Sequence, residues 1–340
     1  MKPSDITRYL TAVLPTRRPI WLWGAPGTGK SSVVRQAVDS IFPAGGGQVW
    51  ELRATEFEGV DLRGVPHIVA GKTAWALPDL FPTNPADKGV LFLDELPQGE
   101  ADVQKFFAKV ALDRSFGEYE LPPEVYVVAA GNRQQDKAGV GRVLTHLLNR
   151  FAHVDFDVDL DDWCAWAVAN DVDHDVISFV RWKETAYLLD FRPESGDRAF
   201  ATPRSWHMAS DILKTCPDDL LVQALGGVVG VGKAAELVAH RALRAKLPDV
   251  DDILANPTTA SVPGREASVI YSLIGALADR LRKNPKLAKP YVVYARRLPD
   301  EFGVVAAKQM TPQAMGAVVL DAGKLWEQWM AELRKKGFMA

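Results

Sequence analysis

Cysteine is nearly missing from this sequence. Cys164 and Cys216 are the only two in 340 residues, too few for a disulfide framework, and neither has a neighbour at metal-ligand spacing. Both are expected to act as small buried hydrophobes. Long apolar runs are missing too: nothing approaches the ~18 residues of a membrane span. The first residues are broken by Pro3, Asp5, Arg8, Pro15, Arg17 and Arg18, which leaves no apolar core of signal-peptide length. No charge of one sign dominates. A formal net charge of −3 gives no general attraction to nucleic acid or to an acidic membrane surface. The histidines form no H-E-x-x-H pair, and the aspartates from Asp155 to Asp162 lack the glycine and closing glutamate of a calcium loop. A cytoplasmic protein is the expectation, with no metal site signalled by cysteine or histidine spacing or by a calcium loop.

The N-terminal part alternates short apolar runs with helical stretches. The runs are Ile20–Gly24, Gln48–Ala54, Gly89–Asp94, Glu124–Gly131 and Phe151–Asp157. The first four are near-continuously apolar, as strands buried on both faces of a parallel sheet are. The last alternates apolar with acidic residues and predicts an edge strand. Helical stretches at Ser31–Ser40 and Glu100–Ala111 supply crossovers, so residues 1–158 are expected to form an α/β core with a five-stranded parallel sheet. After about Leu160 helical segments take over: Asp161–Ala169, with Asp161 and Asp162 as N-caps, then Ser205–Lys214, Leu220–Leu243, Ala267–Lys283 and Pro312–Lys336. They are expected to make an α-helical lid over 159–260 and a helical C-terminal region over 261–340. The locally basic stretch Asp279–Arg297 could meet nucleic acid or an acidic partner, but a solvated helix face and linker is the expectation.

The first apolar run leads into Gly24-Ala25-Pro26-Gly27-Thr28-Gly29-Lys30-Ser31, followed by Ser32. A G-x-x-x-x-G-K-S loop between strand and helix lets backbone amides curl around a β-phosphate while the helix presents its positive end to the same anion. Lys30 can reach the β- and γ-phosphates, and the Ser31 hydroxyl can coordinate Mg²⁺. ATP is favoured over GTP because no guanine-reading N-K-x-D occurs. The run Val90–Leu93 ends in Asp94 and Glu95, whose side chains diverge at a strand end. Asp94 would hold Mg²⁺ and Glu95 would act on the attacking water. The next run ends in Gly131-Asn132-Arg133, where Asn132 would face the same crevice. Arg150 and Arg204 are candidate charge stabilisers, but spacing alone does not separate that role from a surface salt bridge.

Together these motifs resemble AAA+ ATPases, and specifically the MoxR-like branch. Gly24–Ser31 is similar to Walker A, Leu91–Glu95 to Walker B, Asn132 to sensor 1, Asn149-Arg150-Phe151 to the arginine-finger segment, and Ala201-Thr202-Pro203-Arg204-Ser205 to sensor 2. The resemblance covers roughly residues 15–215. It implies an AAA+ P-loop NTPase core followed by a helical lid, ATP and Mg²⁺ as cofactors, and a homo-oligomeric ring, usually hexameric. Arg150 would act in trans and Arg204 in cis. It also implies a hairpin in Val65–Leu77 turning at Ala70-Gly71-Lys72, and a second over Ser115–Leu121. Family members are chaperone-like remodellers, often partnered by a von Willebrand factor A domain protein. An ATP-hydrolysing remodeller of a partner protein is therefore the expectation, with Trp75 as the hairpin residue to test. The rivals are a nucleic-acid-directed AAA+ motor or loading accessory, which the acidic balance disfavours, and a small-molecule P-loop kinase, which Glu95 and Asn132 disfavour. Intact Lys30 and Glu95 disfavour a non-hydrolysing scaffold.

Overall fold

Alternation along the strands decides where each side of the sheet finds its cover. The computed structural model describes residues 1–116, 119–133, 143–243, 247, 249–264, 266–310 and 312–338. It divides them into one unit of Met1–Val158 with Arg192–Gly196 and another of Asp159–Phe191 with Asp197–Ala340. The first unit runs α1 (Pro3–Val13), β1 (Ile20–Trp23), α2 (Lys30–Ile41), β2 (Gln48–Arg53), α3 (Gly59–Arg63), β3 (Val65–Val69), β4 (Lys72–Ala76), β5 (Lys88–Asp94), α4 (Ala101–Asp113), β6 (Ser115–Phe116), β7 (Tyr119–Glu120), β8 (Glu124–Gly131), α5 (Thr145–Leu148) and β9 (Ala152–Asp155). The parallel sheet has the order β2-β5-β8-β1-β9. Ile20, Leu22, Val90, Phe92, Tyr126 and Val128 pack against α1 and α2 through Ile6, Leu10, Val34 and Val38. Their neighbours Trp21, Leu91, Leu93, Val125 and Val127 pack against Val103, Phe107 and Val110 of α4. This period-two division is what a sheet covered on both faces requires.

The five-stranded parallel sheet expected from the sequence is present, and β9 is an edge strand paired only with β1. One expectation about the sheet fails. Gln48–Ala54 does not form a strand buried on both faces: β2 is the opposite edge, with Gln48 and Arg53 in solvent and only Leu52 fully buried. Its open side explains the polar Glu51 and Arg53. The expected hairpin at 65–77 forms as β3 and β4, with Val69 opposite Lys72 and the turn made by Ala70 and Gly71 at φ 49° and 76°. β6 and β7 form the second pair, while residues 117–118 of that hairpin lie outside the described set.

The second unit is helical: α6 (Leu160–Ala169), α7 (His174–Lys183), α8 (Thr185–Leu188), α9 (Pro203–Thr215), α10 (Leu221–Val229), α11 (Val231–Leu243), α12 (Val250–Ala255), α13 (Ala267–Lys283), α14 (Ala288–Ala295), α15 (Asp300–Lys308) and α16 (Pro312–Lys335). Neither Asp161 nor Asp162 caps α6. Asp159 does, accepting from the Asp162 amide, while the Asp161 carboxylate pairs with Arg181. The long helix expected over Leu220–Leu243 is broken at Gly230, whose φ of 88° no helix accommodates. Helix α7 packs against α13 so closely that a Cβ on Gly275 would lie 3.1 Å from Ser178 Oγ. Apart from Arg192–Gly196, the stretches 159–260 and 261–340 fall in this unit. In the basic stretch, Arg280, Arg282, Lys283 and Arg296 are each ion-paired within that unit.

Candidate active site

β1 brings the chain to the carboxyl edge of the sheet at Trp23, and residues 24–29 turn it into α2. Gly27 and Gly29 have φ of 71° and 106°, values that residues with a Cβ rarely adopt. Gly24 is required for a different reason. A Cβ there would stand 3.0 Å from Phe156 Cβ and 3.1 Å from Phe156 O. The Gly24 amide donates to Gly131 O at 3.2 Å, tying the loop to the end of β8. Helix α2 starts at Lys30 with no side chain capping it, so its first-turn amides remain available for an anion. Lys30 is buried, and its Nζ donates to the loop carbonyls of Gly24 (2.8 Å) and Ala25 (2.9 Å). Thr28 Oγ1 donates to Ala25 O, closing the loop on itself. Ser31 and Ser32 are half-buried, and their hydroxyls make no hydrogen bond to a described residue.

Strand β5 lies between β2 and β8 and ends at Asp94. Burial pushes the Asp94 carboxyl up; the Glu95 amide on its Oδ1 (3.0 Å) and the positive charge of Lys30 pull the other way. Glu95 itself has φ 54°, a left-handed backbone that costs a non-glycine residue about 1–3 kcal/mol. That twist separates the two carboxylates. Thr55 Oγ1, just past the end of β2, donates to Glu95 Oε2 at 2.7 Å. Nothing in the sequence singled out Thr55. Its role depends on β2 being the neighbour of β5, which strand patterning alone does not reveal.

β8 ends in Gly131, where a Cβ would fall 2.3 Å from the Pro97 ring. The following Asn132 is half-buried and makes no hydrogen bond to a described residue. Arg133 donates to Phe156 O (3.1 Å) and to Asp157 Oδ1 (3.0 Å), and its Nε stands 3.2 Å from Asp155 Oδ1. Burial would raise the Asp157 carboxyl, but the hydrogen bonds from Arg133 and from the Met1 amine prevail and hold it below the ordinary range. On the neighbouring strand, Trp23 Nε1 donates to His153 Nδ1 at 2.8 Å, and His153 Nε2 lies 2.8 Å from Leu148 O. An indole N–H can only donate, so Nδ1 is the acceptor and Nε2 carries the proton.

The phosphate loop, Asp94, Glu95 and Asn132 therefore share the carboxyl edge of one sheet, the usual position for a ligand in open α/β folds. The two candidate arginines lie elsewhere in the chain. Arg150 follows α5 and donates from Nη1 to Ala108 O of α4. Arg204 is exposed in the first turn of α9, in the other unit, with Thr202 as N-cap and Ser205 completing the capping box.

Residues 20–156 match the family described as ATPase family associated with various cellular activities (AAA). No curated protein is significantly similar to the chain. Among solved structures, NtrX from Brucella abortus in complex with ADP is similar at 16% identity and a TM-score of 0.40, over 94% of this chain and 68% of that one. The RuvB Holliday junction branch migration motor of Thermotoga maritima is similar at 14% identity and a TM-score of 0.41, over 82% of this chain and 81% of that one. Similarities this loose leave the assignment to the family match and to the loop, acidic pair and strand order. The stretch from β1 to the end of β9 thus matches the model of that ATPase family and has the AAA+ P-loop NTPase fold.

Proposed function

We propose that this chain is the ATP-hydrolysing subunit of a ring-forming, chaperone-like remodeller of a partner protein, in the manner of the MoxR-like branch. The observation that carries the step from ATPase to remodeller is the β3–β4 hairpin. It holds Ile68 at 81% exposure, and Val65, Val69 and Trp75 are exposed as well. Apolar side chains displayed this way mark a contact surface for protein rather than for a metabolite. The absence of excess positive charge in the sequence supports the same choice over nucleic acid. A homo-oligomer, usually a hexamer, a von Willebrand factor A domain partner and a cytoplasmic setting are the associations that the resemblance supplies.

In this proposal the residues divide the work as follows. The amides of 24–29 and of the first turn of α2 bind the phosphates, and Lys30 exchanges the Gly24 and Ala25 carbonyls for phosphate oxygens. Ser31 and Asp94 suit a Mg²⁺ ion. One offers a hydroxyl not bonded within the described structure, the other a half-buried carboxylate whose ionised form a cation would favour, and Mg²⁺ commonly takes its other ligands from water and phosphate. When bound, the ion neutralises charge on the β- and γ-phosphates. Glu95, held by Thr55, takes a proton from the water that attacks the γ-phosphorus as the bond to the β–γ bridging oxygen breaks. Asn132 orients that water or the γ-phosphate. Residues 159–260 would serve as the lid that carries Arg204 to the nucleotide of its own subunit, with 261–340 as its extension. Arg150 would act on the neighbouring subunit, where an inserted arginine is worth about 10³–10⁵ in rate.

The test is Glu95→Gln. Loss of a general base lowers turnover by about 10²–10⁴-fold, and the variant should retain ATP and accumulate as closed rings visible by electron microscopy. Capture experiments with the same variant in ATP should enrich one partner protein over an ADP control. Unchanged turnover removes Glu95 from its role, and a monomer in ATP at every concentration refutes the ring.

A further inference from the structure

Arg133 bonds to a strand that is not its neighbour. The sheet order places β1 between β8 and β9, yet Arg133, two residues past the end of β8, reaches Phe156 O, Asp157 and Asp155 at the end of β9. Its side chain therefore spans the carboxyl end of β1, where the phosphate loop begins. Gly24 has a contact on each side of that span. Its amide bonds Gly131 O on the β8 side, and its α-carbon lies against Phe156 on the β9 side, with no room for a Cβ. The carbonyl that accepts from Arg133 belongs to the same Phe156.

We propose that Arg133 is a positioning residue for ATP hydrolysis, a strap across β1 that fixes Asn132 relative to the first glycine of the phosphate loop. This rests on the reading of Asn132 as the group that orients water or γ-phosphate. Asn132 is adjacent in sequence and makes no hydrogen bond of its own to a described residue, so the anchored guanidinium next to it restrains the backbone that carries it. Arg133 does not itself offer charge to the nucleotide, because Asp155 and Asp157 already stand against its guanidinium. Its effect must pass through geometry. A displacement on the order of 1 Å at a reacting centre can cost about 100-fold in rate, and two hydrogen bonds with an ion pair beside them limit that freedom.

Steady-state ATPase assays and fluorescent-ATP binding on Arg133→Ala, Asn132→Ala and the double variant test this. The expected result for Arg133→Ala is a fall in kcat of about 10- to 100-fold with nucleotide affinity unchanged. The double variant should be no slower than the slower single one, because both changes remove the same positioned group. A purely structural arginine would multiply its loss with that of Asn132→Ala, and that outcome overturns the strap. Wild-type kcat in Arg133→Ala overturns it as well. If Asn132→Ala turns over normally, the reading of Asn132 fails and takes the strap with it; if only Asn132→Ala is slow, the strap alone fails. Should Arg133→Ala melt below the assay temperature, Arg133→Gln carries the same comparison, since it keeps the stem and one donor.

Discussion

Acidification should destabilise the helical unit through one imidazole. His240 on α11 is 1% exposed; its Nε2 lies 2.9 Å from Ser178 Oγ on α7 and 3.3 Å from Ser272 Oγ on α13. Its ring stacks on Trp182 at 5.6 Å. Burial, with the charge of Lys183 adding to it, lowers the imidazole from 6.5 to about 4. The unfolded chain therefore takes up a proton near pH 6.5, whereas the folded chain resists until about pH 4. Between those values the unfolded state binds more protons, so stability is full above the upper one and falls as the pH drops. At about 1.4 kcal/mol per pH unit the loss reaches ~3 kcal/mol, a large part of the ~5–15 kcal/mol that holds a typical domain together.

The assay is urea unfolding of wild type and His240→Gln at a series of pH values from neutral down to about 4. Glutamine can still bond both serine hydroxyls but takes no proton. Its constant cost of substitution cancels when the two pH curves are compared. The stability gap should close, then reverse, as the pH falls. Carboxylates held low in the fold, Asp161, Asp171 and Glu236 among them, lose their contribution from about pH 5 downward, across the lower end of that window, and do so in both proteins alike. A gap that stays constant across the whole range refutes the assignment of this acid sensitivity to His240.

Two further outcomes are expected of the candidate site. Lys30→Ala should weaken ATP binding about 100-fold or more, the worth of one or two charged hydrogen bonds; micromolar affinity retained in a direct binding titration refutes the phosphate-loop assignment. Mixing Arg150→Ala subunits with Lys30→Ala subunits should restore part of the ATPase activity that each lacks alone, since some interfaces then pair an intact loop with an intact arginine. No recovery at any ratio counts against Arg150 acting on a neighbour.

The sheet was readable because its inner strands are Val-, Leu- and Ala-rich and buried on both faces, and β9 because Asp155 and His153 alternate with covered residues. β2 misled for the same physical reason: Val49, Trp50 and Leu52 look like an interior strand, and only a neighbour missing on one side reveals the edge. Helix α7 escaped notice because its buried face includes His174, Asp175, Ser178 and Arg181, which read as surface residues unless their partners are known. The phosphate loop and the acidic pair are local in sequence and needed no fold to be found. Thr55 and Arg133 are different. The first acts across β2 and β5, the second across β8 and β9, so both depend on a strand order that no single run of residues encodes. Gly-Asn-Arg after a strand looks like an ordinary turn.

The β3–β4 ribbon bears on how the protein behaves in solution. It is separate from the five-stranded sheet, and a two-stranded hairpin without further cover is marginal in water. Among the described residues no further strand pairs with its outer edges, which lie beside exposed valine and isoleucine, the usual template for indiscriminate strand-to-strand aggregation. Two residues on it limit that hazard: Pro66 removes a donor from β3, and Lys72 places a charge at the start of β4. The free protein can therefore be stored at high concentration only as far as those two gatekeepers allow, and replacing either would shorten its shelf life in solution before it altered any catalytic constant.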